Sequence, residues 1–156
     1  MDIRRDDLTH PSTLALLSLH LAGMHANSPP GTVFALDLSG LKAPDVTVWT
    51  AWEGELACGV GALRQLDAEN GEVKSMRTHP DHLRKGVAAL LLDTVILAAR
   101  ERKFSRLSLE TGRGPAFEPA LALYRRRGFV DGGRFSDYED NGFSQFLHLD
   151  LRLPAA

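Results

Sequence analysis

Cysteine is almost absent from this 156-residue chain, because Cys58 is the only one. A single cysteine excludes an intramolecular disulfide and a zinc site built from several thiolates. We therefore expect the hydrophobic core alone to stabilise the fold. The same cysteine usage is typical of the cytoplasm, which is where we expect the protein to be.

Long hydrophobic runs and an excess of one charge are missing as well. Apolar runs such as residues 87–92 are far shorter than the roughly 20 residues that span a bilayer. The charged residues at the start of the chain are not followed by the apolar segment of a secretory signal. Eighteen Lys and Arg against 20 Asp and Glu give a net charge of −2. We therefore expect neither a membrane nor nucleic acid as a partner.

What is present is the pattern of one mixed α/β domain, which we expect to cover residues 1–156. Hydrophobic periodicity predicts a helix that begins after residue 10 and ends before residue 28. A hairpin over residues 46–66 and a third strand over residues 72–78 are expected next. The pattern then predicts further elements in this order: a helix at 84–103, a strand at 106–111, a short helix at 118–127, and strands near 129–135 and 144–151.

Residues 78–90 combine a strand end, a short basic loop with one glycine and a helix start. The free N–H groups of a helix start attract anions, and small side chains at Gly86 and Ala88 let a pyrophosphate approach the backbone. Arg84 and Lys85 add positive charge. The segment therefore indicates a phosphate-binding loop, although an ordinary surface loop remains an alternative.

Two other glycine patterns do not indicate a nucleotide site. The P-loop pattern Gly-x-x-x-x-Gly-Lys-Ser/Thr is absent. Gly59 and Gly61 lie inside a predicted strand instead of at a strand-to-helix turn, so a β-bulge or close packing explains them better.

Two segments in the chain resemble the signatures of the GCN5-related N-acetyltransferases, the GNAT family. Residues 83–88 (LRKGVA) match the last two fixed positions of that family's acetyl-CoA signature, Gln/Arg-x-x-Gly-x-Gly/Ala, with Leu83 at the position of Gln or Arg. Residues 120–129 (ALALYRRRGF) are similar to its later signature, Ala-x-x-Leu-Tyr-x-x-x-Gly-Phe. Residues 25–30, 72–78, 109–112 and 135–138 resemble the YsnE-type bacterial branch.

The resemblance implies the GNAT acyl-CoA N-acyltransferase fold, in which a twisted, mainly antiparallel sheet of six or seven strands is flanked by about four helices. It also implies transfer of an acetyl group from acetyl-CoA to a primary amine by direct attack in a ternary complex. The acceptor would be a small molecule or a peptide, and a homodimer is compatible with the family. A non-catalytic domain that binds or senses acyl-CoA is the alternative.

Site residues follow from the same resemblance. Tyr124 would be the general acid that protonates the coenzyme A thiolate, with simple packing as its alternative. Glu72, 14 positions before Gly86, would be the general base, with a solvated turn residue as its alternative. No metal is expected. The predicted acetyl-CoA contacts are Met76, Arg77, Thr78, Leu83, Arg84, Lys85, Gly86, Val87, Ala88 and Phe117.

Several further residues are candidates for the acceptor pocket. Arg77 and Lys74 would favour a substrate that carries a carboxylate if either reached the pocket, but a cross-strand ion pair with Glu110 explains them equally well. Cys58 is expected to be buried and not to form an acetyl-enzyme. The remaining candidates are His20 and His25, near the end of the first helix, and Asp137, Tyr138 and Glu139, before the last strand.

Overall fold

Seven strands form one sheet in the computed structural model, which describes residues 1–152. The sheet order is β1-β2-β3-β4-β5-β7-β6; β4 and β5 pair in parallel, and the other neighbours are antiparallel. The predicted mainly antiparallel sheet of six or seven strands, with about four helices, is confirmed. The elements are β1 (Asp2–Arg5), α1 (Pro11–Ala26), α2 (Leu38–Leu41), β2 (Val46–Glu53), β3 (Leu56–Gln65), β4 (Asn70–Thr78), α3 (Val87–Glu101), β5 (Arg106–Thr111), α4 (Glu118–Arg126), β6 (Val130–Gly132) and β7 (Gln145–Asp150).

The sequence pattern missed two short elements. β1 is an edge strand of four mostly charged residues that pairs with β2. α2 is a single helical turn of four residues. Both are too short for a hydrophobic period to be visible, so their conformation depends on the neighbours they pack against.

α1 begins and ends where the sequence predicted. The ring Nδ1 of His10 accepts a hydrogen bond from the N–H of Ser12 at 3.0 Å, so a histidine caps the helix. Leu16 and Leu17 are buried against one face of the sheet, where they pack in a cluster with residues of β2 and β3.

α3 covers the opposite face of the sheet. Leu91 and Val95 are fully buried there, and a Cβ on Gly59 of β3 would lie only 2.6 Å from a methyl carbon of Val87. The predicted start of this helix at residue 84 is wrong, because Arg84 and Gly86 both have positive φ angles that a right-handed helix cannot contain. No helix of residues 1–152 has the length and apolarity needed to cross a membrane.

The feature that creates a site is the separation of β4 from β5. Their parallel pairing covers only Asn70, Gly71 and Glu72 of β4. Beyond it β4 bulges: Ser75 has a φ of 56°, and the register with β3 shifts between Val60 and Ala62. β5 pairs with β7 along its whole length instead. The two central strands therefore diverge and leave an opening in the sheet.

The bulge also accounts for the second glycine of the Gly59-x-Gly61 pattern. A Cβ at Gly61 would lie 2.7 Å from the sulfur of Met76, which the bulge turns toward it. Close packing against α3 at Gly59 and the bulge opposite Gly61 confirm the two structural explanations that the sequence favoured for these glycines.

Candidate active site

A cavity of about 670 Å³ fills the opening between β4 and β5. The end of β4, the loop before α3 and the start of α3 form one side, and β5 and α4 form the other. α1 and the segment around Phe34 close one end. Of the predicted acetyl-CoA contacts, the cavity wall includes Met76, Arg77, Thr78, Leu83, Arg84, Gly86, Val87, Ala88 and Phe117. Lys85 is exposed and lies outside the wall.

The start of α3 supplies unpaired hydrogen-bond donors to this cavity. Gly86 precedes the helix with a φ of +79°, and no side chain caps the helix. Leu90 donates the first intrahelical bond, to the Gly86 carbonyl at 3.0 Å. The N–H groups of Val87, Ala88 and Ala89 therefore have no partner within the helix, and these three residues line the cavity. This arrangement suits a phosphate group.

Tyr124 lies in the cavity wall on α4. The helix ends in a tight turn in which the N–H of Phe129 donates to the Tyr124 carbonyl at 3.1 Å, and Gly128 provides the required positive φ of 96°. The Tyr124 ring packs edge-on against Phe129. Burial, together with the charge of Glu110, raises the pKa of Tyr124 to about 12. The hydroxyl is therefore protonated at neutral pH and able to donate a proton.

Glu72 is a buried strand residue, so the solvated-turn alternative is wrong. It is 1% exposed and does not belong to the cavity wall. One carboxylate oxygen accepts a hydrogen bond from the Tyr138 hydroxyl at 2.5 Å and lies 3.5 Å from the Lys74 ammonium group. Lys74 also donates to the Phe34 carbonyl and to the Tyr138 hydroxyl, each at 2.9 Å. These contacts connect β4 to the segment around Phe34 and to the segment around Tyr138.

Glu110 is the acidic residue that sequence reasoning missed as a functional group. It lies on β5 in the cavity wall. Burial raises the pKa of its carboxyl, while a hydrogen bond from Ser144 and the charge of Lys74 act in the opposite direction. The signal available in the sequence was the place of Glu110 within the segment 109–112, which carried part of the family resemblance.

Arg77 contacts α1 and not Glu110. Its Nε donates to His20 Nδ1 at 3.0 Å, and its Nη2 lies 3.4 Å from the His20 carbonyl oxygen. Burial, followed by the charges of Arg77 and Lys74, lowers the pKa of His20 to about 4, so His20 accepts this bond as a neutral ring. Within residues 1–152 neither Arg77 nor Lys74 forms the ion pair with Glu110 that was the alternative explanation.

The other candidates for the acceptor pocket fall into two groups. His20 belongs to the cavity wall, as does Lys74. The structure leaves the remaining candidates outside that wall: His25, Asp137, Tyr138 and Glu139.

Cys58 lies in a small polar cluster that the spacing of residues did not indicate. Among residues 1–152, the ligand atoms of Glu53, Cys58 and His82 lie within 4.8 Å of one another. His82 Nδ1 is 3.4 Å from a Glu53 oxygen. Burial and the negative charge of Glu53 raise the pKa of the Cys58 thiol, which favours its protonated form over the thiolate that binds metals. The absence of a metal remains a prediction.

Comparison with known proteins relates this chain to one family of enzymes. The model of the acetyltransferase (GNAT) family matches residues 14–129. The chain is 48% identical over 149 residues to the uncharacterized N-acetyltransferase YedL of Escherichia coli (strain K12), with 96% of this chain and 94% of YedL covered. It is 46% identical over 151 residues to the uncharacterized N-acetyltransferase YsnE of Bacillus subtilis (strain 168), with 97% and 100% covered.

Solved structures share the fold. A Klebsiella pneumoniae protein assigned as an acyl-CoA N-acyltransferase superposes with a TM-score of 0.80 at 27% identity, covering 96% of this chain and 97% of that one. A GNAT family acetyltransferase from Elizabethkingia anophelis with acetyl-CoA bound has a TM-score of 0.69 at 20% identity, with 96% and 97% covered. The fold, the family and the YsnE-type resemblance that the sequence indicated are confirmed.

The open donors at the start of α3 predict a charge-specific effect at Gly86. Asn and Asp tolerate positive φ better than other side chains do, so Gly86→Asn and Gly86→Asp form a matched pair that differs in charge. We expect the aspartate variant to bind acetyl-CoA at least about 10-fold more weakly than the asparagine variant, because its carboxylate would face the pyrophosphate. Isothermal titration calorimetry at two salt concentrations measures this, and equal affinities would contradict a phosphate site at this loop.

The neutral state of His20 predicts how stability depends on pH. An unfolded histidine titrates near pH 6.5, whereas His20 stays neutral to about pH 4 in the folded protein. The unfolded chain therefore binds more protons between these values, and stability falls as the pH drops from about 6.5 to about 4. His20→Gln retains an acceptor for Arg77 without titrating. We expect its free energy of unfolding in urea to fall by less than that of the wild type over this range, by roughly 3 kcal/mol at most; identical slopes would show that His20 is not the group responsible.

Proposed function

The chain belongs to the acetyltransferase (GNAT) family, and on that premise we propose that it acetylates an amine within the cavity between β4 and β5, with Tyr124 as general acid and Glu110 as general base. The observation that carries the proposal is that one cavity joins the open start of α3 to Tyr124 and Glu110. The YedL and YsnE relatives favour an enzyme over a domain that only senses acyl-CoA. The single cysteine supports a cytoplasmic location for this reaction.

Acetyl-CoA would enter along the end of β4. Its pyrophosphate would bind the N–H groups of Val87 to Ala89 with Arg84 beside them, and Phe117 and Leu83 would contact the apolar part of the coenzyme. Because β5 has already separated, the backbone of residues 76–78 is free on that side to bond the pantetheine as an added strand. The N–H groups of residues 76–78 would also stabilise the negative charge that forms on the thioester oxygen.

The chemical step needs one base and one acid. The amine nitrogen attacks the thioester carbonyl carbon, so that a C–N bond forms and the C–S bond breaks. Glu110 takes the proton that the amine loses, and the raised pKa of its carboxyl makes it a better base than an ordinary surface glutamate. Tyr124 gives its proton to the departing thiolate. Its pKa of about 12 keeps the hydroxyl protonated until that step. Glu72 would position Lys74, which lines the cavity, and Tyr138, which lies outside it.

The proposal is tested by acetyl transfer itself. The purified protein, acetyl-CoA and a panel of amines should release free thiol, and the products should gain the mass of one acetyl group. A metabolite extract in place of the panel would reveal the natural acceptor. Binding of acetyl-CoA without any acetylated product would favour the sensing alternative.

Removal of the Tyr124 hydroxyl separates chemistry from packing. Tyr124→Phe retains the ring that packs on Phe129. We expect kcat to fall about 100-fold, the lower end of what a general acid contributes, with the acetyl-CoA dissociation constant unchanged. Steady-state kinetics and calorimetry measure the two quantities. Wild-type turnover in the variant would mean that Tyr124 only packs.

The choice between the two glutamates is tested by matched variants. Glu110→Gln should remove or shift the acidic limb of the pH profile of kcat/KM, and activity should partly recover at high pH, where more of the amine is unprotonated. Glu72→Gln should leave that limb in place. The opposite result would support the sequence-based prediction that Glu72 is the base and would overturn the role of Glu110.

A further inference from the structure

Arg77 is a half-buried cation in the cavity wall, on the part of β4 that faces α1. Burial lowers the pKa of its guanidinium group, and no acidic group among residues 1–152 offsets that effect. Burying a charge in this way is costly unless an anion or several hydrogen bonds compensate it. The structure therefore raises the question of which group balances the charge of Arg77.

No carboxylate of residues 1–152 lies within 4 Å of the Arg77 guanidinium. The neighbouring cation on the same strand is different, because Lys74 is paired with Glu72. The protein partners of Arg77 are the neutral ring and the carbonyl of His20. Both fix the position of the guanidinium, and neither carries a negative charge.

α1 is shaped to hold the guanidinium at this position. A Cβ at residue 23 would lie 2.9 Å from Arg77 Nη2 and 3.4 Å from Nη1, so Gly23 provides the space. Glycine inside a helix costs about 1 kcal/mol relative to alanine. The His20 contacts occupy Nε and one side of Nη2, which leaves Nη1 and the remaining Nη2 proton for a ligand.

We infer that Arg77 binds a carboxylate of the acceptor, so that the substrate class is a small amine that also carries a carboxylate, such as an amino acid. This inference rests on the proposed function. In the same cavity Glu110 lies on β5, the opposite wall from Arg77, and its charge is complementary to an ammonium group. A zwitterionic acceptor would therefore place its carboxylate at Arg77 and its nitrogen on the side of Glu110.

The test compares acceptors that differ only in the carboxylate. The probes are the common L-amino acids, each with its own carboxamide, together with simple alkylamines. Because a carboxamide lowers the pKa of the neighbouring amine, rates are compared per unprotonated amine. We expect kcat/KM for the best amino acid to exceed that for its carboxamide at least about 100-fold, as for a charge-assisted, two-point contact.

Variants assign that preference to Arg77. Arg77→Met keeps the length of the side chain and should bring the ratio of the two kcat/KM values close to one, with the acetyl-CoA dissociation constant unchanged. Arg77→Lys should retain part of the ratio, since an ammonium group cannot form the paired contact. Arg64→Met removes an arginine whose ion pair with Asp45 lies at the surface and should leave the ratio as in the wild type.

The wild type alone provides a second measurement in case the variants do not fold. The product, an N-acetyl amino acid, should inhibit at least about 10-fold more strongly than its carboxamide. Equal use of acids and carboxamides by the wild type would overturn the inference but leave the proposed function intact. Weaker acetyl-CoA binding by Arg77→Met would also overturn it, because the guanidinium group, and not only the backbone of residue 77, would then contact the coenzyme. Binding of acetyl-CoA with no amine acetylated would overturn the proposed function itself.

Discussion

The early end of the pairing between β4 and β5 is the constraint on which the site depends. Three residue pairs hold these strands together, and the bulge at Ser75 then turns β4 away. β5 keeps its full ladder with β7, so it loses pairing on the β4 side only, where the cavity forms. The lost bonds leave backbone donors and acceptors that a thioester and its pantetheine arm can satisfy. A continuous sheet would have satisfied them internally and left no room for a ligand.

At this opening the two faces of the sheet present different chemical groups. On the α3 side the ends of β4 and α3 present backbone N–H groups and small side chains, which suits the coenzyme. On the α1 side lie charged groups in a partly dry setting, where their interactions are stronger than in water. Burial keeps the Tyr124 hydroxyl protonated, raises the pKa of the Glu110 carboxyl, and keeps His20 neutral beside Arg77. Under the proposed function, coenzyme and acceptor would meet from opposite sides of one sheet.

Among the charged groups of residues 1–152 that line the cavity, Lys74 is paired with Glu72, whereas Arg77 and Glu110 have no ion-pair partner. Glu72, Lys74 and Tyr138 form a closed group whose contacts are all within the protein. The pairing fixes Lys74 and one oxygen of Glu72 in place, while the other Glu72 oxygen is buried and accepts no hydrogen bond from residues 1–152. Arg77 has donors to spare, and Glu110 faces the cavity. The proposed distinction between residues that support the wall and residues that contact a substrate therefore rests on which charged groups both line the cavity and lack an ion-pair partner among residues 1–152.

Much of the fold and the family could be predicted from the sequence, because the signals lie in residues that are close together in the chain. The helix and strand periods predicted α1, β2 to β5 and α4, and the loop before α3 together with the Leu-Tyr-x-x-x-Gly-Phe segment indicated the family, because both depend on residues close together in the chain. The acceptor side depended on the tertiary structure. Glu72 and Glu110 look alike as strand glutamates, and only the divergence of the strands buries one behind the wall and places the other in it. The partner of Arg77 lies 57 residues away on α1, a distance in sequence that no local pattern spans.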